Sequence, residues 1–256
     1  MNRILGHYLT LILYQSYADL RAESQRTYIG YLWWVVDPVI SMGVYYIVFE
    51  VVLDRGIENY SLFLFVGLIP WRWLQTSILS GANSILHSRG VMLQVYLPKA
   101  IFPAVNFLSN TVKFLSVFTL LAIILVLAGF PVTSAHAALP VLLLVTALLI
   151  TGCTFIASSV TPFFPDLRMV LDNIVRLWFF LSGIFYPMSD LPERLEWYFR
   201  LNPMATLIES YRHILLDGRW PDLAALGLIG VFGVVLNAIG LTIISRYDYV
   251  YPRLSS

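Results

Sequence analysis

Apolar side chains gather along this chain into runs long enough to cross a bilayer, separated by short polar stretches. A span needs about 20 mostly apolar residues, and six stretches qualify: 31–53, 61–79, 110–130, 139–160, 169–188 and 224–245. The first opens on Trp33 and Trp34, an aromatic interface anchor, and carries Asp37-Pro38 near its start and Glu50 near its end. In the second, Pro70 predicts a kink, and Arg72 stands between Trp71 and Trp73. The third has Lys113 near its start, the fourth has no charge at all, and the fifth contains Asp172 and Arg176. Gly227, Gly230, Gly233 and Gly240 suit the sixth to close helix packing.

The stretches between the runs are patterned too. In residues 1–30, Leu5, Tyr8, Leu9 and Ile12 share one helical stripe that His7, Thr10 and Gln15 interrupt. That predicts an amphipathic helix in the membrane interface; Arg3, residues 8–14 and Ser16-Tyr17-Ala18 only loosely imitate a signal peptide and its cleavage site. Residues 80–100 predict a short helix presented outside the bilayer, with Asn83-Ser84 as its start, Arg89-Gly90 as a break and Leu97-Pro98 as its stop; the alternative is an ordinary loop. Residues 189–223 predict two short helices. Asp190 caps the first, with Pro192 and Glu193 in its opening turn, and Asn202-Pro203 begins the second, which stops at Gly218. At 1.5 Å per residue, 191–201 and 203–217 make about 16 and 22 Å, short of a ~30 Å hydrocarbon core. A re-entrant pair fits better than a seventh span, with an extracytoplasmic hairpin as the alternative. The predicted fold is an all-α polytopic membrane protein forming one domain over residues 1–256. It has an N-terminal interface helix, six transmembrane helices and two short re-entrant helices before the last span.

Composition removes the soluble alternatives. The chain is 59% hydrophobic and 12% charged, against roughly 45–50% and 25% in an ordinary soluble domain. A net charge of +1 leaves no basic field for nucleic acid. With the N-terminus inside, inner segments hold eight Lys/Arg and outer ones five, four of these being Arg194, Arg200, Arg212 and Arg219. The positive-inside rule thus favours a cytoplasmic N-terminus by a small margin. Enzyme templates are missing: no G-x-x-x-x-G-K-[ST] phosphate loop, no H-E-x-x-H and no G-x-S-x-G. Cys153 stands alone and His7, His87, His136 and His213 are scattered, so no metal site is expected. Ser182-Gly183 lacks a histidine within the spans to act as the base of an intramembrane protease.

What remains is charge and aromaticity at membrane depth. Ionisable groups there are expensive and mark function by default: Asp37, Arg72, Asp172 and Arg176 are the candidates, while Glu50 and Lys113 lie near span ends where snorkelling explains them. Asp172 and Arg176, four apart, are placed to pair, and their stripe continues through Phe179, Gly183 and Tyr186. In the first run Trp34, Pro38, Ser41, Tyr45 and Phe49 share a broad face. Such faces are either packing or the wall of a path for a ring-bearing polar solute. Six helices enclose little room, so two copies around a path make the simpler assembly.

Several motifs occur in the right order: Tyr28-Ile-Gly-Tyr-Leu-Trp-Trp-Val-Val-Asp-Pro38, Gly67-Leu-Ile-Pro-Trp-Arg-Trp73, Gln94-Val-Tyr-Leu-Pro-Lys99, Leu177-Trp-Phe-Phe-Leu-Ser-Gly-Ile-Phe-Tyr-Pro187 and Leu201-Asn-Pro-Met204. Together they resemble the permease subunit of type-2 ABC polysaccharide exporters, the Wzm and KpsM group, over nearly the whole chain. The resemblance implies a homodimer in the bacterial inner membrane with both termini cytoplasmic. It implies no cofactor in this chain, because two copies of a separate P-loop ATPase carry ATP and Mg. The implied cargo is lipid-linked polysaccharide such as O antigen. It implies an ATPase contact at or near Arg89, Gln94 and Lys99, and a channel wall or gate drawn from Trp33, Trp34, Tyr45, Tyr46, Phe49, Trp178, Phe179, Phe185 and Tyr186. Residues 21–26, Arg21-Ala-Glu-Ser-Gln-Arg26, are less basic than related permeases often are here. Capsule, teichoic acid and small lipophilic compounds are alternative cargoes. From other classes, an enzyme of lipid-linked sugars would need carboxylates such as Asp37 or Asp172, and a membrane scaffold would need none of these groups.

Overall fold

The computed structural model describes residues 2–26, 28–52, 59–164, 166–187, 192, 194, 199 and 201–254, leaving out the side chains of 2–5, 49, 50 and 52. The described residues form an all-helical protein. Helix α1 is Asn2–Gln25, α2 Trp33–Tyr46, α3 Tyr60–His87, α4 Arg89–Gln94 and α5 Ile101–Leu127. Then come α6 Leu139–Val160, α7 Leu167–Phe180, α8 Pro203–Leu215, α9 Leu223–Arg246 and α10 Tyr251–Leu254. A wider helical segment, Ile47–Val52, prolongs α2.

Among the described residues, four segments are long and apolar enough to cross a membrane: Tyr60–Gln94, Ile101–Leu127, Ser134–Phe163 and Leu223–Arg246. The first is the central pillar, with 72% of its apolar window buried inside the chain against 22% for the last. The expected first and fifth spans are built from shorter pieces. Helix α2 has 14 residues before its 6-residue extension; α7 has 14, roughly 21 Å. After α7 the backbone breaks at Gly183, whose φ of +64° is a conformation glycine adopts readily.

Two boundaries differ from the sequence reading. Residues 80–100 read as a polar stretch with a short helix starting at Asn83-Ser84, yet α3 runs unbroken to His87 because the polar side chains satisfy themselves on the helix. Ser80 Oγ donates to Thr76 O (2.6 Å), Asn83 Nδ2 to Leu79 O (3.0 Å) and Ser84 Oγ to Gly81 O (2.7 Å). Asn83-Ser84 is therefore helix interior, and the break falls at Ser88, the residue before α4. Helix α5 likewise begins nine residues before the expected third span, with Ile101, Pro103, Val105 and Ser109 buried in its first turns.

Helix α1 rides on α5. Its inward line is Ser16, Leu20 and Ser24, all buried, with Ser16 Oγ donating to Val105 O (3.2 Å); Leu9, Leu13 and Tyr17 face outward. Helices α6 and α9 pack in parallel, Val145 meeting Gly230, Leu148 meeting Gly233 and Phe155 meeting Gly240. A Cβ at Gly233 would lie 2.9 Å from the Leu148 backbone and one at Gly240 2.9 Å from the Ile156 nitrogen, so the glycines permit this approach. Asn237 Nδ2 closes it by donating to Leu148 O (2.8 Å).

The second of the two helices expected before the last span is α8. Asn202 caps it, its side chain accepting from Met204 N, with Pro203 in the first turn. The first of the pair, with Asp190, Glu193 and most of 191–201, falls outside the described residues.

Candidate substrate path and coupling surface

Two groups of side chains gather beside α2 and α3, one against α7 and the other against α1 and α5. The first is aromatic. Trp71 of α3 meets Trp178 edge-on at 5.8 Å and Phe179 at 5.6 Å; Phe179 meets Phe185 at 5.2 Å, and Phe185 meets Tyr45 of α2 at 6.4 Å. Trp178 Nε1 donates to Asn202 Oδ1 (2.8 Å), and Asn202 Nδ2 donates to Leu181 O (2.8 Å), so the cap of α8 also holds the end of α7. Tyr186 donates to Phe180 O (3.0 Å) and lies edge-on to Phe199. Four suspected wall residues, Tyr45, Trp178, Phe179 and Phe185, thus form one half-buried assembly around Trp71. Tyr46 stays exposed on α2, and the side chain of Phe49 lies outside the described residues.

The second group is ionic. Asp37 pairs with Arg72, which also donates to Ser41 Oγ (3.0 Å). Glu23 of α1 pairs with Lys113 of α5 at 2.5 Å, so Lys113 has a dedicated partner beyond the snorkelling expected of it. Both pairs line a cavity of about 370 Å³ with Trp33 and Trp34. Asp172 and Arg176 do pair, at 3.4 Å, on the exposed side of α7 and away from these two.

Arg212, read in the sequence as one of four outer cations, is a buried organising residue that the sequence hid. It is buried on α8, donating to Gly183 O (2.8 Å), Ile184 O (2.7 Å) and Phe63 O (3.3 Å), with its guanidinium 3.4 Å from the Phe63 ring centroid. It satisfies carbonyls that the break after α7 releases. Its position, ten residues after a helix-opening Asn-Pro, carried no signal of burial.

At the opposite end lies α4. Met92 anchors it in a small cluster with Ile85, Ile244 and Tyr251, while Val91, Leu93, Val95 and Tyr96 are exposed beside Gln94. Arg89 is half-buried, and its Nε has no hydrogen-bond partner among the described residues. Lys99, expected at or near a partner surface, is instead buried within the chain: Asp248 accepts from its backbone N (2.9 Å) and stands 3.6 Å from its Nζ. Tyr96 stacks on Tyr249, and hydrogen bonds to Tyr249 and Asp248 push its hydroxyl pKa upward. Tyr251 donates to Ser159 O (3.1 Å). The segment after α9 thereby clamps the loop after α4.

Fold and sites together define a multi-pass helical membrane protein that carries polar and aromatic groups between its helices and an exposed apolar ridge at one end. The sequence model of the ABC-2 type transporter family matches residues 17–216, and the chain belongs to that family. It is 30% identical to the O-antigen export system permease protein RfbA of Myxococcus xanthus over 236 residues, 91% of each chain. It is 26% identical to the protein of that name from Klebsiella pneumoniae over 99% of this chain and 98% of the relative. The polysialic acid transport protein KpsM of Escherichia coli is 25% identical over 88% of each.

Proposed function

We propose that this chain is the membrane-spanning subunit of an ATP-driven exporter that moves lipid-linked polysaccharide of the O-antigen type across the bacterial inner membrane. The observation that carries this reading is the similarity to two O-antigen export permeases over 91% and 99% of the chain. The subunit works as a homodimer on two copies of a P-loop ATPase, which bind ATP and Mg; this chain binds neither and is not an enzyme. Both termini are cytoplasmic.

Six crossings and a re-entrant α8 belong to the same reading. Helices α6 and α9 pack in parallel, so an odd number of crossings separates them, and α7 with its broken end supplies one. Helix α8 begins beside Trp178, which packs on Trp71 eleven residues into α3, and reaches Phe63 near the start of α3 through Arg212. That course suits a helix dipping about 17 Å into the membrane and returning.

The ATPase docks on α4, whose exposed ridge of Val91, Leu93 and Tyr96 lies beside Gln94. Its closure pushes the segment after Ser84. Helix α3 carries that push from Ser88 to Arg72, roughly 24 Å away, next to Pro70, where a proline inside the helix removes a hydrogen bond and allows a bend. Movement there disturbs Trp71 against Trp178 and Arg72 against Asp37, opening a path between the α2 and α7 sides of two protomers. Rings and amides give the sugar chain many weak contacts, which suits continuous movement because a deep well would stall it. The test is reconstitution with the ATPase and a lipid-linked glycan: export needs both subunits and ATP, and glycan flipping by this chain alone would refute the motor-driven reading. The likeness to the polysialic acid transport protein favours capsular polysaccharide as a second cargo; an ATPase partner carrying a carbohydrate-binding extension would favour O antigen.

A further inference from the structure

We propose that the cavity between α1, α2, α3 and α5 is a binding site for one neutral, polyhydroxylated ring, the size of a hexosyl unit, separate from the aromatic assembly around Trp71. Its volume, about 370 Å³, falls within the range of small-molecule sites. Two chemistries line it. Trp33, 41% exposed, and Trp34 supply aromatic faces; Glu23, Asp37, Arg72 and Lys113 supply charge, with Thr76 and Asn110 between them.

The charge pattern selects the ligand. The four ionic groups sum to zero, and each cation is already held by a carboxylate. A phosphate would have to bear the repulsion of the carboxylate that already neutralises Arg72 or Lys113. An alkylammonium group would have to displace the Lys113 ammonium from over the Trp34 ring, where it sits 5.7 Å from the centroid. A neutral sugar asks neither. A carboxylate has about four lone-pair positions and a guanidinium five N–H donors, so both bond hydroxyls while still paired. The C–H face of a pyranose lies on an indole as any apolar surface does. The balanced pairs thus give a charged headgroup no net attraction and favour hydroxyls as the groups that fit.

Only the source of the ring rests on the export reading: it is either a sugar of the lipid-linked cargo or a free saccharide from the aqueous phase. The test needs no transport. Purified protein in phosphatidylcholine nanodiscs is probed by saturation-transfer NMR with methyl β-glucoside, with glycerophosphocholine and inorganic phosphate as charged competitors. The expected result is transfer to the glucoside ring protons, undiminished by either competitor. Two variants should weaken binding roughly tenfold: Trp34→Ala, and Thr76→Trp, which fills the cavity from an exposed position and leaves both ion pairs intact. Val231→Ala, on the exposed side of α9, leaves binding unchanged. Equal transfer in wild type and Thr76→Trp, displacement by phosphate or glycerophosphocholine, or no transfer at all would each overturn the site. Polyprenyl diphosphate-linked N-acetylglucosamine competing with the glucoside identifies the cargo as the source; competition by free glycosides alone identifies the aqueous phase. Export that persists after binding is lost overturns a role for the site in export while leaving the exporter reading intact.

Discussion

Lys99–Asp248 and Asp37–Arg72 are chemically similar ion pairs in opposite settings. The first is 2% exposed at Lys99 and 10% at Asp248, the second 61% at Asp37 and 41% at Arg72. Burial makes the Lys99 pair a fastener, because separating its partners strands a charge away from water. Exposure makes the Asp37 pair adaptable, since solvent replaces either partner at little cost. The buried pair holds the loop after α4, and the open one lines the cavity between α1, α2, α3 and α5.

The comparison breaks first at the clamp. Asp248→Ala should cost ~3–5 kcal/mol by leaving Lys99 buried and unpaired, seen as a large drop in melting temperature in detergent. Pairing it with Lys99→Met should recover most of that loss. The next effect lies in the α6–α9 seam: Gly233→Leu should cost about 1–3 kcal/mol or more through overpacking. Gly227→Leu, whose Cβ meets nothing within 4 Å, should melt like wild type, and equal losses would remove the seam from the account. Asp37→Asn should cost under about 1 kcal/mol yet reduce ATP-dependent export several-fold; unchanged export would reduce the pair to decoration.

The smallest effect is in pH. Burial, outweighing a hydrogen bond from Gln15 that lowers it, raises the Asp19 pKa above its ordinary 3.8. The folded state then holds this proton more tightly than the unfolded one. Its contribution is full at pH below 3.8 and is lost as pH rises through the folded pKa. Asp19→Asn should flatten the acid-range dependence of α1 protection, followed by hydrogen exchange.

Much of the fold was legible in the sequence because lipid imposes a simple rule on long helices: residues 139–160 and 224–245 match α6 and α9 to within a residue. The helix start at Asn83-Ser84 was misread because asparagine and serine favour N-caps, while here their side chains turn back onto the helix they sit in. Gly233 and Gly240 were legible as packing residues, and Gly227, on the same helix, faces open space. Among candidate residues, the Asp172–Arg176 pair followed from spacing alone. Asp37–Arg72, Glu23–Lys113 and the burial of Arg212 join residues 28 to 149 positions apart, which no local pattern encodes.

The clamp on Lys99 also bears on assembly order. Residues 248–251 emerge from the ribosome after α9, whereas α4 emerges more than 150 residues earlier. A nascent or prematurely terminated chain ending at Arg246 therefore exposes the ridge of α4 without the Asp248, Tyr249 and Tyr251 contacts that hold it. The surface that α4 presents thus becomes firm only once the chain has been made through residue 251, so one of the first helices synthesised is secured by one of the last.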